Sequence, residues 1–307
     1  MSAHDATGVA PLTPRLLTSH DIVQRVRRWS GQRRIGHTGT LDPMASGVLV
    51  LCLGQATRLV EYYQGHDKRY HAEVTLGSAT DTYDAMGAIT ATRTVPPLTT
   101  EGIESVLDNF QGEILQQPPI YSALKQGGES LHRKARRGES VIIEPRPITI
   151  YRLQLLAFTP PNRLTLHIHC SAGAYIRSLA HDLGQALQTY GHLSLLRRET
   201  VGVFRLADAH SLATIEAQTQ AEAFEDLLLP LGQGLSMPAI HLTPETMTRL
   251  GHGQVVPLPN PFLDNQVTLA QGIAPDGTLV GILQCLGKES GNGDGILWKA
   301  EKWFANQ

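Results

Sequence analysis

The stretch Gly36-His-Thr-Gly-Thr-Leu-Asp-Pro-Met-Ala-Ser-Gly47 runs directly into Val48-Leu-Val-Leu-Cys-Leu53 and decides how the chain is interpreted. The first twelve residues are dense in turn formers, which predicts a loop. The six apolar residues that follow are too few for a typical helix and favour a buried strand. Pro43 biases Asp42 toward extended backbone. The sequence therefore predicts a carboxylate in a stiff loop anchored by a strand, although such an aspartate is more often only a turn former.

Patterns on both sides of this loop predict the neighbouring elements. Thr18 and Asp21 have the spacing of a capping box. The apolar face that follows indicates an amphipathic helix, and it consists of Ile22, Val23, Val26 and Trp29. Residues 70–76 and 164–170 alternate between apolar and polar types, which predicts two half-buried strands.

From Tyr175 onward the apolar period becomes helical, and Arg177 lies off the apolar stripe in the first turn. Helices and strands are mixed without regular β-α-β repetition. We therefore predict a mixed α/β fold around a largely antiparallel sheet.

A domain boundary is expected near Leu229-Pro-Leu-Gly-Gln-Gly234. Beyond it the pattern predicts a short helix over 244–250. Short strands are expected around 267–269 and over 279–286 and 296–304, with loops at 257–266 and 290–295. Such a segment of about 70 residues favours a small β-rich module that depends on its larger neighbour.

Composition predicts a packed, water-soluble chain. Of 307 residues, 41% are apolar and 18% charged, which argues against a disordered protein. No apolar run approaches the length of a membrane span, and residues 1–14 lack the pattern of a secretory signal. Cys52, Cys170 and Cys285 are too far apart to suggest a zinc or disulfide framework. We expect a cytoplasmic protein.

The charge of the chain is divided unevenly. Residues 1–207 hold 22 Lys and Arg against 17 Asp and Glu, a balance of +5, whereas residues 208–307 hold 4 against 11, a balance of −7. Two basic clusters in the first part would suit a phosphate backbone or form solvated helix faces. The first comprises Arg25, Arg27, Arg28, Arg33 and Arg34, and the second Lys125, Arg133, Lys134, Arg136 and Arg137.

Common cofactor and hydrolase motifs are missing from the sequence. The glycine-rich loop has neither the G-K-[ST] of a P-loop nor a G-x-G-x-x-G pattern, and no G-x-S-x-G motif occurs. His167 and His169 lack a third placed ligand and are interpreted as surface or packing residues. We expect no metal and no cofactor.

Several ordered motifs resemble the TruB family of tRNA pseudouridine synthases. The resemblance covers Gly36 to Arg58, Asp67-Lys-Arg-Tyr70, Leu76 to Asp84, Gln117 to Lys125, Leu131 to Gly138 and Cys170-Ser-Ala-Gly-Ala-Tyr-Ile-Arg177. The family's opening Lys-Pro-x-Gly is replaced by Thr13-Pro-Arg-Leu16. The resemblance implies a pseudouridine synthase fold over 1–233, with an RNA-gripping insertion at about 122–146, and a PUA-like domain over 236–307.

The resemblance also implies the reaction: a T-loop uridine of tRNA, position 55, becomes pseudouridine without a cofactor, and the enzyme acts as a monomer. Asp42 would be the nucleophile, Arg177 its partner, and Tyr70 the residue that stacks on the target base. Substrate contacts are implied for His37, Tyr175, Asp84, Lys68, Lys125, Arg133, Lys134, Arg136 and Arg137.

Each of these assignments has a structural alternative. Tyr70 and Tyr175 would serve equally as packing residues, His37 as a loop histidine, and Arg177 as a surface arginine. At the level of function the alternatives are a non-catalytic RNA-binding protein, the guide-RNA-dependent branch of the family, which acts on ribosomal RNA, and an Asp-nucleophile hydrolase. The hydrolase lacks a metal or oxyanion motif in the sequence, and the run from Lys125 to Gly138 resembles the stand-alone bacterial form.

Overall fold

The computed structural model describes residues 16–122, 125–126, 129–130, 137, 143–258, 267–288 and 295–304. They form two compact units, each built from separate segments. The first unit contains the described residues of Met1–Arg25, Gly39–Leu49 and Lys68–Glu199, and the second those of Val26–Thr38, Val50–Asp67 and Thr200–Gln307. The modules predicted from the sequence, 1–233 and 236–307, stay a prediction.

The strands are β1 (Ile35–His37), β2 (Ser46–Gly47), β3 (Leu51–Leu53), β4 (Lys68–Leu76), β5 (Ser78–Thr80), β6 (Ile89–Thr92), β7 (Gly112–Gln116), β8 (Lys125–Gln126), β9 (Glu129–Ser130), β10 (Arg146–Thr159), β11 (Arg163–Cys170), β12 (Gly191–Val201), β13 (Phe204–Arg205), β14 (Ala239–His241), β15 (Val256–Leu258), β16 (Leu269–Ile273), β17 (Leu279–Lys288) and β18 (Ile296–Trp303). The α-helices are α1 (Ser19–Ser30), α2 (Val60–Gln64), α3 (Thr100–Asp108), α4 (Ile176–Ala186), α5 (Leu212–Gln220) and α6 (Pro244–Gly251). Short 3₁₀ helices cover Gly54–Leu59, Leu206–Asp208 and Phe224–Leu227.

The largest sheet has the order β13-β12-β4-β11-β10-β7, and β2 pairs with β12 outside this order. The pairs β4–β11, β11–β10, β10–β7 and β12–β13 are antiparallel, whereas β2–β12 is parallel. The predicted mixed α/β fold with a largely antiparallel sheet is confirmed. Along β4 buried side chains alternate with half-buried or exposed ones from Lys68 to Leu76, as the sequence pattern predicts.

Helices α3 and α4 pack their apolar faces on the core of this unit. Ile103 and Leu107 from α3 and Leu179 and Leu183 from α4 are at most 2% exposed, and they cluster with the buried side chains of β4 and β11. Helix α1 begins with the predicted capping box: the Thr18 amide donates to Asp21 Oδ2 at 2.9 Å, and the Asp21 amide donates to Thr18 Oγ1 at 3.2 Å.

The loop and strand predicted over residues 36–53 are both shorter than expected. Gly36 and His37 complete β1, Ser46 and Gly47 form β2, and only Leu51–Leu53 of the apolar run is a strand. The Val48 amide donates to the Arg198 carbonyl at 2.9 Å, and the Val48 carbonyl accepts from Arg198 Nε at 2.8 Å. The amide bond continues the parallel pairing of β2 with β12, but the carbonyl is taken by the Arg198 side chain and is not available to a strand neighbour.

Gly47 has a backbone conformation that other residues rarely adopt. Its φ is +106°, outside the common left-handed region. A β-carbon at this position would overlap the carbonyl oxygen of Arg198. The close approach of β2 to β12 therefore requires glycine here.

We expect Gly47→Ala to lower the free energy of unfolding by at least about 2 kcal/mol, because strain and steric overlap act together. Urea unfolding followed by tryptophan fluorescence would measure this change. Gly65→Ala is the matched control: its φ is −73°, no heavy atom lies within 4 Å of the added carbon, and its effect should stay within about 0.5 kcal/mol. Equal effects of the two changes would contradict the prediction.

The second unit contains a sheet of order β14-β16-β17-β18-β15. Its core includes Trp298, only 1% exposed, together with Leu250 of α6 and Val256 of β15. The predicted β-rich character of the C-terminal segment is confirmed. None of the helices in the described part of the chain is long and apolar enough to cross a membrane.

Several boundaries in this unit differ from the predictions. The strand expected at 267 begins at Leu269, and the helix expected to end at 250 continues to Gly251. Strands β14 and β15 had no clear sequence pattern. The predicted loop from 257 starts inside β15, where Pro257 pairs with Leu297. An edge strand tolerates this proline because one side of its backbone needs no partner.

Candidate active site

Asp42 lies at the start of a hydrogen-bonded turn. Its carbonyl accepts from the Ala45 amide at 2.9 Å. The preceding residue is held by α1, because the Leu41 amide donates to Ser19 Oγ at 2.8 Å and the Leu41 carbonyl accepts from the same hydroxyl at 3.3 Å. The Asp42 side chain keeps 29% of its surface exposed. The turn therefore presents a partly accessible carboxylate on a backbone fixed at both ends.

Arg177 forms a two-point ion pair with this carboxylate. Nε donates to Asp42 Oδ2 and Nη2 donates to Asp42 Oδ1, both at 2.9 Å. The guanidinium also donates to the carbonyls of Thr82 at 3.0 Å and Tyr121 at 2.9 Å. Arg177 is only 5% exposed, so the surface-arginine alternative is wrong, while the role of Arg177 as the partner of a nucleophile stays a prediction.

Asp84 provides a second carboxylate near the Arg177 guanidinium. Asp84 Oδ2 lies 3.7 Å from Arg177 Nε, while Oδ1 accepts from Thr82 Oγ1 at 2.7 Å and from the Met86 amide at 3.0 Å. Its side chain is 8% exposed. The structure therefore places Asp84 beside Arg177; its predicted substrate contact stays a prediction.

Tyr70 is buried on the core side of β4, where its hydroxyl interacts with Arg198. Burial raises the pKa of Tyr70 to about 12, because desolvation outweighs the opposing effect of the Arg198 charge and hydrogen bond. The Asp42 carboxylate is close enough to raise this pKa as well. At neutral pH the side chain is therefore a neutral phenol.

Tyr175 lies at the residue before α4, and its backbone is held by the side chain of Gln116. The Tyr175 amide donates to Gln116 Oε1 at 2.8 Å, and its carbonyl accepts from Gln116 Nε2 at 3.0 Å. Burial raises the pKa of the Tyr175 phenol, while the neighbouring Ser122 hydroxyl and the charge of Arg177 act in the opposite direction. This double clamp fixes the start of the helix that carries Arg177.

The other residues predicted to contact the substrate lie in several different elements. His37 belongs to β1 in the second unit, and Lys68 begins β4 with 7% exposure. Lys125 lies in β8, and Arg137 is exposed in a turn. The described residues do not include Arg133, Lys134 and Arg136, most of the predicted insertion, or Thr13–Arg15 of the opening segment.

Sequence reasoning missed the residues that support this site from behind, chiefly Arg198, Gln116 and Ser19. Only Arg198 left a signal: in a strand, Arg197 and Arg198 must point to opposite faces, so one of the two arginines had to face the core.

Within the described ranges, no group of three or more His, Cys, Asp or Glu side chains is placed to hold a metal ion.

The fold and the site together define a mixed α/β protein with an aspartate–arginine centre beside a buried tyrosine. Family models match almost the whole middle of the chain: the TruB family pseudouridylate synthase N-terminal domain over residues 27–176, and the tRNA pseudouridylate synthase B C-terminal domain over 177–236. The chain belongs to the TruB family of pseudouridylate synthases.

The similarity to curated relatives extends over most of this chain and of each relative. Three proteins named tRNA pseudouridine synthase B are examples. The protein from Caldanaerobacter subterraneus is 40% identical, with 80% of this chain and 84% of the relative covered. The Symbiobacterium thermophilum protein is 45% identical, with 82% and 84% covered, and the Haemophilus influenzae protein 42%, with 83% of each.

Solved structures share the fold at lower identity. A chain from an H/ACA RNP bound to a substrate RNA containing 2′-deoxyuridine has a TM-score of 0.72 and 22% identity. The aligned region covers 96% of this chain and 83% of that one. A chain from a Cbf5-Nop10-Gar1 complex has a TM-score of 0.70 and 24% identity, covering 95% and 83%. At this identity the likeness concerns the fold.

Proposed function

We propose that this protein converts the T-loop uridine at position 55 of tRNA to pseudouridine, with Asp42 as nucleophile. The observation that carries the proposal is the two-point pairing of Asp42 with a buried Arg177 on a fixed turn. In the reaction the N1–C1′ bond breaks and a C5–C1′ bond forms. C5 loses its proton and N1 gains one, so atoms and electrons balance without a redox partner.

Asp42 acts because its carboxylate is paired with a cation and held in one direction. The Arg177 guanidinium donates to both carboxylate oxygens at 2.9 Å. The two parallel hydrogen bonds also fix the direction of the carboxylate. The remaining exposed part of the carboxylate would meet the base or the sugar of a flipped-out nucleotide.

Tyr70 would stack on the target base rather than remove its C5 proton, because a phenol with a pKa of about 12 is a poor base near pH 7. Stacking at about 1–3 kcal/mol per contact offsets much of the free energy needed to flip a nucleotide. We assign His37 to holding the extruded nucleotide, and Tyr175, Asp84 and Lys68 to the surroundings of the base.

The T-arm of tRNA would be the partner of this site. RNA loops are recognised through shape and splayed bases, and the basic residues of the insertion would contact phosphates without reading sequence. The three relatives described above, at 40–45% identity over most of the chain, are named tRNA pseudouridine synthase B, which favours a stand-alone monomer over a guide-RNA particle. A tRNA substrate also favours action in the cytoplasm.

A tritium-release assay tests the proposal. The protein is incubated with tRNA whose uridines carry tritium at C5, and isomerisation of the target releases that tritium to water. We expect release equivalent to one uridine per tRNA, mapped to position 55. Tight tRNA binding without release would instead support a non-catalytic RNA-binding protein, and release from another position would overturn the assigned substrate site.

Binding should weaken steeply as salt rises, because phosphate contacts release counterions. We expect replacement of Arg133, Lys134, Arg136 and Arg137 by Gln to reduce the slope of log affinity against log salt by up to about 3.6, at roughly 0.7–0.9 for each of four lost contacts. Filter binding at several salt concentrations measures this slope. Arg163→Gln is the control, since Glu73 already lies 3.7 Å from Arg163; an unchanged slope in the fourfold variant would contradict the phosphate contacts.

A further inference from the structure

Arg198 is a charged side chain buried in the first unit. It is 2% exposed, whereas its neighbour in β12, Arg197, is exposed. Burying a cation requires compensation for its lost hydration. Among the described residues, no carboxylate lies within ion-pair distance of Arg198, so backbone oxygens and a phenol surround it instead.

The Arg198 guanidinium donates hydrogen bonds to backbone carbonyls that precede and follow Asp42 in the sequence. Nη2 donates to Gly39 at 3.1 Å, Nη1 to Thr40 at 3.3 Å, and Nε to Val48 at 2.8 Å. The backbone of Arg198 adds a further bond, because its carbonyl accepts from the Val48 amide. One residue of the sheet therefore holds the Asp42 turn at its beginning and at its end.

Tyr70 is a neighbour of the same guanidinium. Arg198 is close enough to the Tyr70 hydroxyl to lower the pKa that burial raises. Arginine suits this position because its rigid fork offers five donors in one plane. Lysine presents three donors around a single nitrogen and cannot reach the same set of oxygens together.

We propose that Arg198 is a positioning residue that holds the Asp42 turn and the Tyr70 hydroxyl in one frame, so that the nucleophile and the stacking ring keep a fixed separation when a nucleotide enters. A neutral residue would fill the same space without the free-energy cost of desolvating a charge. The presence of a buried arginine therefore indicates that these carbonyl oxygens need a common hydrogen-bond donor. This inference rests on the proposed function and adds to it a residue that acts through Asp42 and Tyr70.

Single-turnover tritium release, combined with tRNA binding, tests the role of Arg198. For Arg198→Lys we expect the rate constant to fall by about 100-fold or more, because a displacement of about 1 Å at the reacting groups has an effect of that size. The dissociation constant should stay within about threefold. Arg197→Lys, the same change one residue earlier, should leave both quantities within about threefold. A rate for Arg198→Lys within threefold of the unmodified protein would overturn the proposal.

A rescue experiment separates positioning from general loss of packing. In Arg198→Ala, guanidinium at a concentration far below denaturing levels should restore the rate at least tenfold by occupying the vacated site. Ammonium chloride at equal ionic strength should not. Equal effects of the two salts, or no recovery with guanidinium, would overturn the proposal. Failure of the proposed function would show itself differently, as no tritium release by the unmodified protein.

Discussion

Asp42→Asn is expected to abolish turnover, with a fall of at least about 10⁴-fold in the single-turnover rate. The amide has the size of the carboxylate but lacks the negative oxygen needed to add to carbon. Affinity for tRNA should stay within about tenfold, because the carboxylate acts mainly on the reaction barrier rather than on binding. Tritium release and filter binding measure the two effects separately.

Asp108→Asn provides the matched control for this change. Asp108 ends α3, is exposed, and accepts one hydrogen bond from Gln111 at 3.0 Å. Its amide variant should react and bind like the unmodified protein. Substantial isomerase activity in the Asp42→Asn protein would remove Asp42 from the role of nucleophile. A loss of binding equal to the loss of rate would show instead that Asp42 serves recognition.

Arg177→Met should have the largest combined effect on stability and activity. It leaves the Asp42 and Asp84 carboxylates without their shared cation and the Thr82 and Tyr121 carbonyls without a donor. Removing one partner of a buried pair of this kind destabilises proteins by about 3–5 kcal/mol. The rate should fall by about 100-fold or more, since the nucleophile is no longer aimed.

Urea unfolding and single-turnover kinetics measure these two consequences. Arg205→Met is the control, because Arg205 makes a similar two-point contact with Asp208, at 2.8 and 3.4 Å, in open solvent. Solvent screens that pair, so its loss should leave the unfolding midpoint and the rate essentially unchanged. If Arg177→Met and Arg205→Met behaved alike, burial would not be the source of the strength of the Asp42–Arg177 pair.

Local sequence patterns were sufficient for the elements that carry the site. The alternation of residues 70–76 predicted β4, the helical period from Tyr175 predicted α4, and the capping spacing of Thr18 and Asp21 predicted the start of α1. These features depend on side chains within a few residues of one another, so sequence alone contains them. Pro43 and the surrounding glycines likewise predicted a stiff turn at Asp42.

Long-range contacts set what the patterns did not contain. The apolar run 48–53 was predicted as one strand, but only Leu51–Leu53 forms one, and the carbonyl of Val48 is bonded to the Arg198 side chain, 150 positions away. The adjacent Arg197 and Arg198 give no local sign of which of the two is buried. The burial of Arg198 follows from which face of β12 meets the Asp42 turn, and no local preference records that choice.

By itself, the sequence determined the loop with its carboxylate, the strand that carries Tyr70, the helix that begins at Ile176, and the motifs of the family. The tertiary structure alone decided that Arg177 meets Asp42 across 135 residues, that Asp84 lies 3.7 Å from the same guanidinium, and that Arg198 bonds the turn to the sheet. The physical reason is that backbone preference acts over a few residues, whereas the meeting of distant charges depends on how the whole sheet brings its edges and loops together.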